Sequence, residues 1–390
     1  MKNICIPDLE FGQRVKNAQE LMTRQGIDIM FAFANEAEPQ FVRYLSNYWP
    51  SFETAAVIFG QKGDPILLIG PESMTYAKDR SKISDIRRIK SLRESSNPEY
   101  PGHKLDTMAE AIESVRTGPV KKLAVAGYNL LSKIVYDDLE EALTPFEGAE
   151  IVRGDDLMMS LRKIKSPAEI ACLRKAGEIT VKGLENQLAH IKPGMTEQQV
   201  VGLAMEAIYA NGGEMEAYPF WALAGAGSDQ AISRPRNKVI GAHDYVHLNV
   251  GARYEGYAAS IARGVFFGEP EPWTLSAMQA GFNAAGVIAE QLYDGNNAGT
   301  VAKKYFAALA ETRHDTCTLY GPCHATGLME GEPPWIEVDS DYTIYENMCY
   351  CIDIFLGGPN GYGLRVEESA RVGKNGADIY TPFPREIIRL

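Results

Sequence analysis

The stretch LRKIKSPAE, residues 161–169, divides the chain into two parts. Ser166 offers an N-cap hydroxyl, Pro167 suits the first helical turn, and Glu169 stands three residues past the cap, the spacing of a capping box. Such a cap contributes about 0.5–2 kcal/mol, enough to fix where a helix starts. Before this boundary, over residues 1–155, helix and strand signals alternate. Phe11, Val15, Ala18 and Leu21 or Met22 recur at helical spacing and Gly26 closes the turn. Apolar runs at 27–33, 55–59, 66–69 and 123–126 have the length and continuity of buried strands. The Pro- and Ser-bearing stretch 95–103 is expected as a surface loop. These signals predict a small α/β domain.

After the boundary, over residues 160–390, the pattern changes. A second capping box, Thr196 with Gln199, opens a helix on which Val200, Leu203, Ala204, Ala207 and Ile208 share one face, and Gly212 closes it. Further helices are expected over 274–294 and 299–312, with strand-like runs at 245–250, 261–267, 348–354 and 364–372. Helices flanking a mostly antiparallel sheet make this an α+β domain.

Composition restricts the function classes. The 390 residues carry a formal charge of −12 with the acids scattered, which argues against nucleic acid or an anionic membrane as the main partner. No apolar run approaches the ~20 residues that span a bilayer. The opening MKNICIPDLEFGQR meets acidic residues too soon for the usual signal peptide. Cys5, Cys172, Cys317, Cys323, Cys349 and Cys351 show no metal-type C-x-x-C pairing and fit reduced thiols in a cytoplasmic protein. Cys349 and Cys351 share one face of a strand and are expected as apolar fillers. Cys323, next to His324, points to the opposite face and lacks a base. The Gly225-Ala-Gly227 stretch is expected as a turn, since a phosphate loop needs a third glycine and a strand–helix setting.

Four stretches, in order, carry a family resemblance: LRKIKSPAEIACLRKAG at the boundary, VGARYEGYAASIARGVFFG at 250–268, HATGLMEGEPPW at 324–335 and LRVEESARVGKNGAD at 364–378. They resemble the creatinase/aminopeptidase P/prolidase superfamily, and the fold implied is a pita-bread C-terminal domain behind a smaller creatinase-type α/β domain. The resemblance implies a homodimer in which the small domain covers the partner's pocket. The family's peptidases hold two divalent ions with two Asp, one His and two acidic residues, because carboxylates suit hard cations and a bridging one holds two ions ~3.5–4 Å apart. By motif, those positions fall on Asn249, Ser260, His324, Asp353 and Glu367. Two ligands have become neutral, the bridging one included, so a two-ion site is not expected. The family's supporting histidines fall on Ile232 and Gly331.

Creatinase is the family precedent for such a loss, and this chain is similar to it at Asn249 and in lacking the bridging Asp. It departs at Ile232, at Ala262 beside Arg263, and at Ser51-Phe52-Glu53-Thr54, where a substrate-binding Arg is expected. The leading expectation is a metal-independent, creatinase-like hydrolase of a C–N bond in a small non-peptide molecule, with no cofactor. His324, Asp353 and Glu367 would be its catalytic set. The alternatives are a mononuclear-metal Xaa-Pro-type dipeptidase using those same three residues, and a non-catalytic binding protein. Candidate substrate-binding residues are Asn249, Ser260, Phe220, Trp221, Ile232 and Trp335, with Trp49, Phe52 and Glu53 from the small domain. Aromatic rings with Glu53 would favour a cationic or amide-type small molecule.

Overall fold

The computed structural model describes residues 4–390. Two compact units meet in sequence at Arg162 and Lys163: the smaller is Ile6–Arg162, and the larger is Lys163–Leu390 together with residues 4 and 5.

The smaller unit starts with α1 (Asp8–Gln25), ended by Gly26 at φ 66°, where a glycine meets no Cβ penalty. It continues with β1 (Ile29–Ala34), α2 (Gln40–Ser46), β2 (Ala55–Gly60), β3 (Ile66–Ile69), α3 (Met74–Arg80), β4 (Ile86–Arg88), α4 (Met108–Val115), β5 (Lys122–Ala126), α5 (Lys133–Leu143), β6 (Glu150–Arg153) and α6 (Asp155–Arg162). The strands form one mixed sheet in the order β4-β3-β2-β1-β5-β6. Its central strands are buried on both faces, which explains their unbroken apolar composition. α4 begins with a full capping box, Thr107 with Glu110.

In the larger unit the capping boxes of Ser166–Glu169 and Thr196–Gln199 both form, opening α7 (Pro167–His190) and α8 (Glu197–Ala210). There follow β7 (Met215–Glu216), β8 (Ala222–Ala224), β9 (Tyr245–Tyr254), β10 (Tyr257–Phe266), α9 (Pro272–Gln291), α10 (Ala298–Glu311), β11 (Cys323–Ala325), β12 (Glu332–Ile336), β13 (Cys349–Gly357), β14 (Gly363–Val372), β15 (Ala377–Ile379) and β16 (Ile388–Arg389). α9 starts two residues earlier than its apolar pattern, because Glu271 accepts from Thr274 N and Pro272 fits the first turn. The sheet runs β12-β11-β13-β14-β10-β9-β7, and nearly all its pairings are antiparallel. α7 and α8 cover β9 and β10 through Ile179, Leu184, Val200, Ile208, Val250 and Ile261. α9 and α10 pack a second core against β13 and β14 through Ile288, Val301, Ile352 and Val366. Gly177 of α7 is needed for close approach, since a Cβ there would sit 2.0 Å from the Tyr380 carbonyl oxygen. The opposite face of the sheet, whose side chains alternate with those packed under these helices, carries the polar residues described next.

Candidate active site

Register alone assembles the site. Antiparallel pairing sets Asn249 of β9 opposite Ala262 of β10, Ala262 opposite Glu367 of β14, and Glu367 opposite Asp353 of β13. One step along, Ser260 pairs Gly251, Ser369 pairs Cys351, Cys351 pairs His324 of β11, and His324 pairs Trp335 of β12. Residues two apart on a strand share a face, so the two rows present their side chains together. Asn249, Ser260, His324, Asp353 and Glu367, brought from four stretches of sequence, thus become neighbours, and all five are buried.

The contacts define a polar cluster. Ser260 Oγ donates to Glu330 Oε1 at 3.0 Å, and Ser260 Oγ lies 3.3 Å from Cys351 Sγ. Cys351 Sγ donates to Glu367 Oε1 at 3.2 Å. His324 Nε2 faces Glu330 Oε1 at 3.5 Å and Asp353 Oδ2 at 4.0 Å, while its Nδ1 lies 3.1 Å from the Ala325 carbonyl oxygen. An Nδ1–H donated to that carbonyl leaves Nε2 as the nitrogen facing the cluster. Arg365 enters from the next position on β14. Its guanidinium donates to Asp353 Oδ2 at 3.1 Å and to the Ala231 carbonyl at 2.6 Å, and stands 3.7 Å from Glu367 Oε2. Asn249 Nδ2 donates to Tyr218 Oη at 3.3 Å. Several buried polar atoms around the cluster have no hydrogen-bond partner: Asn249 Oδ1, Asp353 Oδ1, Glu367 Oε2, Trp221 Nε1, Tyr320 Oη and Arg365 Nε.

Burial and charge set the protonation states. Burial pushes Glu367 up to about 8, helped by Glu330 and Asp353, with Arg365 opposing. Burial pulls His324 toward its neutral form, but Glu330 and Asp353 outweigh burial and hold its pKa above the ordinary value. The Cys351 thiol is pushed well up by burial and then by Glu367 and Glu330.

A cavity of 340 Å³ opens over the cluster, lined by Tyr218, Trp221, Tyr320, Trp335, Glu330 and Arg365 among others. The Trp335 ring lies 5.2 Å from the His324 ring and 5.5 Å from Tyr320. Trp221, Ile232 and Trp335 line this cavity, and Ile232 stands at its rim, 88% exposed. Phe220 does not line it: three residues before the middle of β8 its ring turns to the helix side and joins the core under α7 and α8. Gly331, at a family histidine position, has room for a Cβ, whose nearest neighbour would be His324 Nδ1 at 3.7 Å.

Trp49, Phe52 and Glu53 belong to the smaller unit. Trp49 Nε1 donates to the Glu36 carbonyl, with Arg43 stacked 4.9 Å from its ring. Phe52 is 85% exposed at φ 60°, its N–H donating to Glu36 Oε2. Glu53 is buried, and its carboxylate accepts from Glu72 N, Ser73 N and Ser73 Oγ. That carboxylate is buried and held in a turn by three charge-assisted hydrogen bonds.

Sequence reasoning passed over Glu330, Arg365, Tyr218 and Tyr320, and read Cys351 as an apolar filler. Two of them carried a signal. Cys351 precedes Asp353 by two and Arg365 precedes Glu367 by two, so strand alternation alone puts each beside its catalytic candidate. The expectation that Cys351 is an apolar filler is corrected: it touches Ser260 and Glu367, whereas Cys323 joins the apolar core.

A family two-ion centre does not fit these residues. Asn249 and Ser260 are neutral, and the Arg365 cation holds Asp353 and stands beside Glu367. A single ion does fit: the ligand atoms of His324, Glu330 and Cys351 lie within 4.8 Å of one another. The expectation of no cofactor is therefore overturned; of the alternative ligand set, His324 belongs to this group, while Asp353 and Glu367 stand beside the Arg365 cation.

Comparison with known proteins bears on the same points. Residues 171–374 match metallopeptidase family M24, and residues 14–164 match the Creatinase/Prolidase N-terminal domain. An Xaa-Pro dipeptidase of Pyrococcus horikoshii is 23% identical over 96% of this chain and 99% of its own length. The crystal structure of an X-Pro aminopeptidase from Thermotoga maritima superposes with a TM-score of 0.82 at 20% identity, covering 96% of this chain and 99% of that one. The prolidase structure from Pyrococcus horikoshii gives 0.81 at 22%, covering 96% and 100%. These two show the fold, a pita-bread domain behind a creatinase-type domain. The expectation of a metal-independent, creatinase-like hydrolase of a non-peptide C–N bond is overturned by the family match and the relative: the match is to a metallopeptidase family, and a relative similar over nearly the whole chain is an Xaa-Pro dipeptidase. The neutral residues at 249 and 260 suggest abandoned metal chemistry, but Glu330 and Cys351 stand with His324 as a group able to hold an ion.

Proposed function

The chain belongs to metallopeptidase family M24, and on that premise we propose that it hydrolyses short peptides of the Xaa-Pro type with one divalent ion. The observation that carries this reading is the convergence of His324, Glu330 and Cys351 donor atoms within 4.8 Å beneath a 340 Å³ cavity. Similarity to the Pyrococcus horikoshii Xaa-Pro dipeptidase over nearly the full length of both chains supports the substrate class.

An ion bound there supplies Lewis-acid polarisation of a carbonyl oxygen and a more acidic water. The chain's own residues do the rest. The Ala325 carbonyl orients His324 so that Nε2 faces inward. Ser260 Oγ fixes Glu330 in the same space. Glu367 Oε2, free of hydrogen bonds, is placed to take or return a proton. Arg365 neutralises Asp353 and so keeps the pocket from carrying uncompensated negative charge. Trp335, Tyr320 and Trp221 offer flat apolar walls of the kind that pack a pyrrolidine ring, and the cavity volume suits a dipeptide rather than a long chain. The same reading takes the protein as a cytoplasmic homodimer, as the family resemblance supports, with sedimentation velocity as its check.

Protein reloaded with a divalent ion is expected to hydrolyse Xaa-Pro dipeptides and to lose turnover on chelation and in His324→Ala. Turnover that survives complete chelation, or none across a panel of Xaa-Pro dipeptides at any metal loading, would overturn the reading.

A further inference from the structure

The single-ion reading leaves open which ion the site selects, and Cys351 answers it. Cys351 lies on β13 opposite His324 and buried beside Ser260, Glu330 and Glu367, all polar. Cys323, on the neighbouring strand and one register step away opposite Ile352, lies in the apolar core, as a filler thiol does. The family resemblance implies a carboxylate at position 260. Here Ser260 stands in its place and holds the Glu330 carboxylate at 3.0 Å, so an acid delivered by the β11–β12 loop occupies the vacated space. A second observation points to a cation independently of these three side chains. Glu367 Oε2 is buried and accepts no hydrogen bond, while Oε1 of the same carboxylate takes the Cys351 thiol. Buried acceptors ordinarily find donors, and acceptors left over around a His/Glu/Cys group are what a cation satisfies.

We propose that Cys351 is a thiolate ligand in a His324–Glu330–Cys351 site, which therefore selects a thiophilic divalent ion of the zinc or cobalt(II) class over manganese or magnesium. The inference rests on the single-ion reading and adds the identity of the ion. A thiolate is a soft donor, whereas the all-oxygen and imidazole sets of the family motif suit harder ions. Three protein ligands of mixed N, O and S type leave an open position, the arrangement of catalytic zinc. Binding displaces the thiol proton to solvent, so uptake of each ion releases one proton from sulfur.

The test uses the full-length protein stripped by chelator and titrated with cobalt(II), read by near-ultraviolet and visible absorption. The expected result is one cobalt per chain with a thiolate-to-cobalt charge-transfer band. That band should disappear in Cys351→Ser and persist in Cys349→Ser, with cobalt affinity falling at least about tenfold in the former. Manganese should not displace the bound cobalt. Thermal melts of both variants establish that they are folded. X-ray absorption of the zinc-loaded wild type needs no variant and should show one sulfur in the first shell. One cobalt bound without the band, or zinc without sulfur, overturns the thiolate ligand while leaving a single-ion peptidase intact. Two ions per chain, or none, overturns the single-ion reading and this inference with it.

Discussion

At the scale of single residues, two buried groups separate structural from functional roles. Glu53 accepts three hydrogen bonds in a turn of the smaller unit, so its removal should register as lost stability. Bonds to a charged acceptor each contribute about 1.5–3 kcal/mol. Glu53→Ala should cost at least about 2 kcal/mol in urea denaturation, and weaker substrate binding with unchanged stability would return Glu53 to the substrate. His247 of β9 is fully buried, and neither ring nitrogen has a hydrogen-bond partner. Burial first, and then the Arg365 cation, lower its pKa to about 3, against weak opposition from Ser228 and Asn249. The unfolded chain takes up a proton near pH 6.5 and the folded one does not until about pH 3. His247 therefore costs no stability above pH 6.5 and a growing amount as pH falls through that window. At pH 5 the loss is about 2 kcal/mol. His247→Leu, of similar volume and with no proton to bind, should flatten stability between pH 6.5 and 3 relative to wild type. An unchanged acid limb would mean that His247 is charged in the folded state.

At the scale of elements, β10 and β14 are joined by few backbone pairs and by a buried ion pair. Arg263, fully buried, donates to Glu368 Oε1 at 2.5 Å, and Arg385 adds a second contact to the same carboxylate. Glu368→Gln should lower stability by about 3–5 kcal/mol, because it leaves the Arg263 charge buried and uncompensated. A loss below 1 kcal/mol would show that Arg385 alone carries Glu368. The elements were largely legible beforehand. The capping boxes at Ser166 and Thr196 mark helix starts through hydrogen bonds that are local in sequence, and β9, β10, β13 and β14 show strand-like patterns, with apolar residues alternating with polar ones in β9 and β14. The site was legible only where a family motif named a position, as at His324, Asp353 and Glu367. Glu330 sits in a loop whose direction no periodicity encodes, and Arg365 meets Asp353 through register across two strands. Phe220 shows the opposite failure, since proximity in sequence to Trp221 did not place it in the same cavity.

At the scale of the whole molecule, the chain keeps a family scaffold and changes the charge inside it. By the family resemblance two acidic ligand positions fall on Asn249 and Ser260, on the reading proposed above Glu330 and Cys351 replace them, and Arg365 balances Asp353. Composition excluded little of this, because net charge reports the surface rather than the pocket. Among the described residues no helix is long and apolar enough to cross a membrane. The central claim is that one ion, and not two or none, sustains peptide hydrolysis. The most direct test titrates stripped protein with zinc while following hydrolysis of an Xaa-Pro dipeptide and measuring bound metal by mass spectrometry. The account predicts that activity rises linearly and saturates at one ion per chain. Saturation only at two ions, or full activity in the metal-free protein, would contradict it.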